Sequence, residues 1–125
     1  MSSEDMYREF ILELYKNPIN FGKLADADLH AESYNPLCGD KVDMYVKLTN
    51  GKVSDVKFDG SGCAISQASA SLLTEEIKGK TTEQLKAMAK EDILRILQID
   101  LSKNPSRLKC ALLSLETLKK ALVSP

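Results

Sequence analysis

Between Lys41 and Leu48 apolar and polar residues alternate strictly. Val42, Met44, Val46 and Leu48 interleave with Lys41, Asp43, Tyr45 and Lys47. A period of two predicts a strand with one buried face and one wet face. Asn50-Gly51 follows as a turn signal, and Val53 to Asp59 reads as the returning strand. A two-residue loop sets Val42 and Met44 opposite Asp59 and Lys57, which pairs apolar with charged. A three-residue loop, Thr49-Asn50-Gly51, instead sets Met44 opposite Val56 and Val42 opposite Phe58, and is the expected register. Extended outward, it brings Cys38 opposite Gly62, beside Cys63. Residues 28 to 34 are read as a short edge strand.

Elsewhere the period is helical. Met6, Phe10, Ile11 and Leu14 predict a helix over 4–16, with Ser2 or Ser3 able to cap it and Asn17-Pro18 ending it. A second helix is expected from Ala64 to Lys78, stopped by Gly79. Its first turns are small (Ala64, Ser66, Ala68, Ser69, Ala70, Ser71), which permits close approach to a neighbour. Thr81-x-x-Gln84 is a capping box for a helix carrying Leu85 and Met88. Ile93, Ile96 and Leu97 suggest another short helix. Asn104-Pro105-Ser106 opens the last, whose apolar face is Leu108, Ala111, Leu112, Leu115, Leu118 and Leu122. The pattern predicts an α+β fold, an antiparallel sheet packed on one face by helices.

At 125 residues the simplest organisation is a single domain spanning 1–125. A composition 43% hydrophobic and 28% charged supplies one core and is too apolar for a disordered chain. The net charge of −1 creates no field that attracts nucleic acid or anionic lipid. The absence of Trp and a 6% aromatic content argue against a base-stacking surface. No apolar run reaches membrane-spanning length. Glu4 and Asp5 stand where a signal peptide would be basic. The expected location is therefore cytoplasmic, where thiols stay reduced. An odd count of three cysteines also argues against a disulfide framework.

Those cysteines carry the chemistry. Cys38 and Asp40 lie in Asn35-Pro36-Leu37-Cys38-Gly39-Asp40, Cys63 in Gly60-Ser61-Gly62-Cys63-Ala64, and Cys110 in Pro105-Ser106-Arg107-Leu108-Lys109-Cys110. Thiolates are soft ligands for zinc and iron–sulfur clusters, and one oxygen ligand among them loosens the hold. Gly39, Gly60 and Gly62 let the chain turn tightly around these side chains. Cys63 begins a helix, whose dipole favours thiolate. Lys109 and Arg107 favour the thiolate of Cys110. Taken singly, each cysteine reads as a small buried hydrophobe and Asp40 as a turn residue. His30, the one histidine, reads as a surface residue.

These segments resemble the iron–sulfur cluster assembly scaffolds of the IscU/NifU N-terminal type. The resemblance rests on the Asn35–Asp40 string, on Gly60-Ser61-Gly62-Cys63-Ala64-Ile65-Ser66-Gln67-Ala68-Ser69-Ala70-Ser71, and on Arg107-Leu108-Lys109-Cys110-Ala111-Leu112-Leu113. It implies a three-stranded antiparallel sheet. It implies that Cys38, Cys63 and Cys110 hold a nascent [2Fe–2S] cluster, and that Asp40 assists assembly, keeps the cluster labile and can ligate metal. It implies a cysteine desulfurase as sulfur donor and apo-proteins as recipients. The oligomeric state stays open, although two exposed sites could share a cluster across a homodimer. Cys110, at a helix start beside Lys109, is the expected persulfide acceptor. Two departures stand out. Lys109 replaces the histidine usual in the IscU branch, which strengthens Asp40 as fourth ligand. Lys103-Asn104-Pro105-Ser106-Arg107 replaces that branch's Leu-Pro-Pro-Val-Lys segment, which argues against a dedicated Hsp70 chaperone. The Ala-Ile-Ser-Gln-Ala-Ser-Ala-Ser wording and the Arg-x-Lys-Cys end are similar to the SufU branch, although that branch's longer insertion before the last cysteine is largely missing. This similarity implies an alternative: a zinc-dependent sulfur acceptor that activates a desulfurase, in place of a non-enzymatic scaffold.

Overall fold

The computed structural model describes residues 3–36, 39–98, 101 and 104–123, and the side chains from residue 8 onward. Cys38, the Ser2 cap and the Met6 side chain lie outside the described residues. The elements in chain order are α1 (Ser3–Lys16), β1 (Leu29–Asn35), β2 (Asp40–Thr49), β3 (Lys52–Ser61), α2 (Ala64–Ile77), α3 (Thr82–Ala87), α4 (Lys90–Leu97) and α5 (Pro105–Val123). The strands form one antiparallel sheet in the order β1-β2-β3. This is the expected α+β fold.

The sheet's inner face is Val42, Met44, Val46, Val56 and Phe58, all fully buried. Burying each such side chain contributes about 1.5–3 kcal/mol. α2 and α5 cover this face, and Leu73, Ile77, Leu85, Ile93 and Leu118 complete the core. α1 packs on α2 through Ile11 and Leu14 against Ala68. Phe10, expected on the buried side of α1, is 47% exposed. The capping box at α3 forms in both directions, Thr81 Oγ1 accepting from Gln84 N at 3.2 Å and Gln84 Oε1 accepting from Thr81 N at 2.9 Å.

The hairpin register corrects the sequence expectation. Thr49 pairs with Lys52, so the loop is the two residues Asn50-Gly51, with φ of 55° and 76°. Two successive positive φ values make the tight turn whose twist suits a hairpin. Ser54 is then an extra residue on β3, because Leu48 pairs with Val53 and Lys47 with Asp55. Its hydroxyl donates to Lys47 O at 3.2 Å and accepts from Thr49 Oγ1 at 2.9 Å. This bulge moves the phase by one, and Met44 faces Phe58 while Val42 faces Gly60. The signal was present in the sequence: Val53 and Val56 lie three apart, and both can face inward only if one intervening residue bulges. Continued past Lys41–Ser61, the register sets Asp40 beside Gly62; the expected place of Cys38 lies outside the described residues.

Candidate metal centre

Three of the four expected site residues fall within the described residues, and they converge. Asp40 opens β2, Cys63 is the N-cap of α2 in an extended conformation (φ −75°, ψ 164°), and Cys110 lies in the second turn of α5. One ligand atom from each lies within 4.8 Å of the others. Cys63 is exposed, Cys110 is 5% exposed, and Asp40 is fully buried.

The register explains the place of Asp40. Its Oδ1 accepts from Cys63 N at 2.9 Å, and its Oδ2 accepts from the Cys63 thiol at 3.5 Å. A carboxylate thus serves as the cap that Cys63, with no side-chain cap bond of its own, does not supply to α2. Two glycines make room. A Cβ on Gly62 would stand 2.3 Å from Asp40 Oδ1, and one on Gly60 would stand 2.0 Å from the Lys41 carbonyl oxygen. Both have φ near 150°, which side chains rarely adopt. Sequence reasoning read these glycines as turn-makers. Their further role, close approach to the neighbouring strand at Gly60 and space for the Asp40 carboxylate at Gly62, needed the register.

Cys110 reaches the site because α5 docks closely on α2. Ser69 donates to Ala111 O at 2.5 Å and shares a 3.2 Å hydrogen bond with Ser114. The small residues Ser66, Ala68, Ala70 and Ser71 are all buried. The start of α5 is set by Asn104, whose Oδ1 accepts from Arg107 N at 3.2 Å, with Pro105 in the first helical position. Lys109 is exposed on the same turn as Cys110.

His30 is remote from this centre, on the outer face of the sheet. It stacks on Tyr45 at 4.4 Å and lies 3.5 Å from Asp43. Burial, and then the neighbouring Glu32, hold the Asp43 carboxyl above its ordinary range, while Glu32 and then Asp43 hold Lys41 above its own. These shifts belong to a surface ion network and not to the thiol site.

The donor set suits a soft metal. Zinc takes sulfur at about 2.3 Å in a tetrahedron, whose edge is then about 3.8 Å. Ligand atoms within 4.8 Å reach that spacing by shifts of about 1 Å. Exposure also sets reactivity. Iodoacetamide should alkylate Cys63 about tenfold faster than Cys110 in the apo-protein, and zinc should suppress both reactions. Peptide mapping by mass spectrometry measures this, and equal rates would contradict the burial of Cys110.

A carboxylate opening a strand, a thiol at a helix N-cap position and a buried helix thiol give this α+β domain a group of side chains that could hold a metal ion. The NifU-like N-terminal domain model matches residues 6–124, and the chain belongs to that family. It is 39% identical to the zinc-dependent sulfurtransferase SufU of Bacillus subtilis, over 95% of this chain and 90% of that protein. It is 41% identical to the iron–sulfur cluster assembly scaffold protein IscU of Thermotoga maritima, over 94% of this chain and 92% of that one. Among solved structures, the N-terminal part of a NifU-like protein from Brucella abortus superposes with a TM-score of 0.80 at 27% identity, covering 96% of this chain and 94% of that one. Among the described residues, no helix is long and apolar enough to cross a membrane.

Proposed function

We propose that this chain, as one domain over 1–125, is a scaffold on which a [2Fe–2S] cluster is assembled and from which it passes to apo-proteins. Cys38, Asp40, Cys63 and Cys110 are the proposed ligands, and a cysteine desulfurase is the proposed sulfur source. The observation that carries this reading is the convergence of Asp40, Cys63 and Cys110 within 4.8 Å at one end of the molecule, one of the thiols open to solvent. Family membership and the IscU relative support it. In sulfur delivery a thiolate attacks the outer sulfur of the donor persulfide. The donor S–S bond breaks, the donor cysteine leaves as thiolate, and the acceptor becomes the persulfide; an external electron-donor protein or thiol reductant then supplies the two electrons that release its outer sulfur as sulfide and restore the thiolate. The exposed Cys63 is the accessible thiol, and Cys110, buried beside it, is the proposed persulfide acceptor. Asp40, the one hard ligand, keeps the product transferable. Thiols held reduced for this chemistry fit a cytosolic setting.

A second reading has its own support. Ligand atoms this close also fit a single tetrahedral ion, and the Bacillus subtilis relative is a zinc-dependent sulfurtransferase. One experiment separates the two. Anaerobic reconstitution with ferrous iron and sulfide should give visible absorption with equal amounts of iron and acid-labile sulfide. A colourless protein carrying stoichiometric zinc, which accelerates a desulfurase when added to it, would replace the scaffold by the sulfurtransferase.

A further inference from the structure

Gln67 lies one turn beyond Cys63 on α2, and its backbone N donates to Cys63 O at 3.2 Å. Side chains of a helix lean back toward its N-terminus, which for Gln67 is the direction of the turn that Cys63 begins. The residue is 5% exposed. Its Nε2 has no hydrogen-bond partner among the described residues. A buried amide donor left unmatched is costly, and native interiors hold few. The other buried hydroxyls along α2 are matched: Ser66 donates to Cys63 O, Ser69 to Ala111 O and Thr74 to Ser71 O. The unmatched donor therefore falls one turn beyond the thiol.

We infer that Gln67 is a positioning residue whose Nε2–H is reserved for the Cys63 sulfur when that sulfur is a metal-bound thiolate. Resting on the metal role proposed for Cys63, the inference adds what holds and tunes that ligand. Donors behind a metal-bound thiolate orient it and lower the charge it presents to the metal. An apolar side chain of equal length at position 67 would serve the apo-protein better and the loaded protein worse.

That opposition gives the test. In Gln67→Met, zinc affinity measured by competition with a chromophoric chelator should fall about tenfold to a hundredfold. The thiolate-to-cobalt absorption band, with Co²⁺ as probe, should shift. The apo melting temperature should hold or rise. Gln67→Glu keeps the shape without the donor and should weaken zinc binding too, which covers a Met variant that folds badly. Unchanged zinc affinity and an unchanged cobalt spectrum in either folded variant would overturn the role of Gln67 alone, since Cys63 would still bind. A lowered apo melting temperature with wild-type affinity would reduce Gln67 to a packing residue. Failure of the wild-type protein to bind Co²⁺ or Zn²⁺ would remove the proposed centre and the inference with it.

Discussion

Gly62→Ala should lower zinc affinity by more than about a hundredfold, a larger loss than removal of a supporting hydrogen bond produces. The added Cβ would stand 2.3 Å from Asp40 Oδ1 and 2.7 Å from its Cγ, so the carboxyl must leave its place. It would then lose the Cys63 N–H bond at 2.9 Å and its position beside the thiols. The positive φ of Gly62 adds strain of about 1–3 kcal/mol, a fall of roughly 3–15 °C in melting temperature for a domain of this size. A double-mutant cycle isolates the steric part. On an Asp40→Ala background the carboxyl is absent, and Gly62→Ala should cost less stability than it does alone. Strictly additive melting shifts, or a Gly62→Ala protein that binds zinc normally, would show that the glycine does not make room for the carboxylate.

Asp40→Ala has the second-largest expected effect, with opposite signs for the two cargoes. For zinc it removes one of the four proposed donors, and affinity should fall about tenfold to a hundredfold or more. For a reconstituted cluster it removes the one hard ligand among soft ones, and lifetime on the protein should lengthen, with slower transfer to an apo-acceptor. Decay of the visible absorption under chelator challenge measures the lifetime. Loss of the cluster altogether would make the carboxylate an indispensable ligand instead. If neither yield nor lifetime changed, Asp40 would be only the cap of α2 that its bonds to Cys63 already make it.

Much of this molecule was legible from local pattern. Strict alternation over Lys41–Leu48 marked β2, the Thr81–Gln84 box marked the start of α3, and Asn104-Pro105 marked the start of α5, because each depends on residues within a turn or a strand of one another. The exposure of Phe10 was not legible, since helical spacing names a face without saying how wide a neighbour will cover it.

The chain by itself determined which atoms are available: three thiols, one carboxylate among glycines, and helix starts able to hold thiolates. Tertiary structure alone decided which of them meet. A single bulge at Ser54 shifted the hairpin by one residue and placed Asp40 where Gly62 leaves it space. The docking of α5 on α2 through Ser69 brought Cys110 to Cys63 across 47 residues of sequence and buried one thiol while leaving the other open. Pairing register and helix docking are long-range choices, settled by the total burial of a face. Local propensity sees neither, and for this protein they make the difference between scattered side chains and three ligand atoms gathered within 4.8 Å.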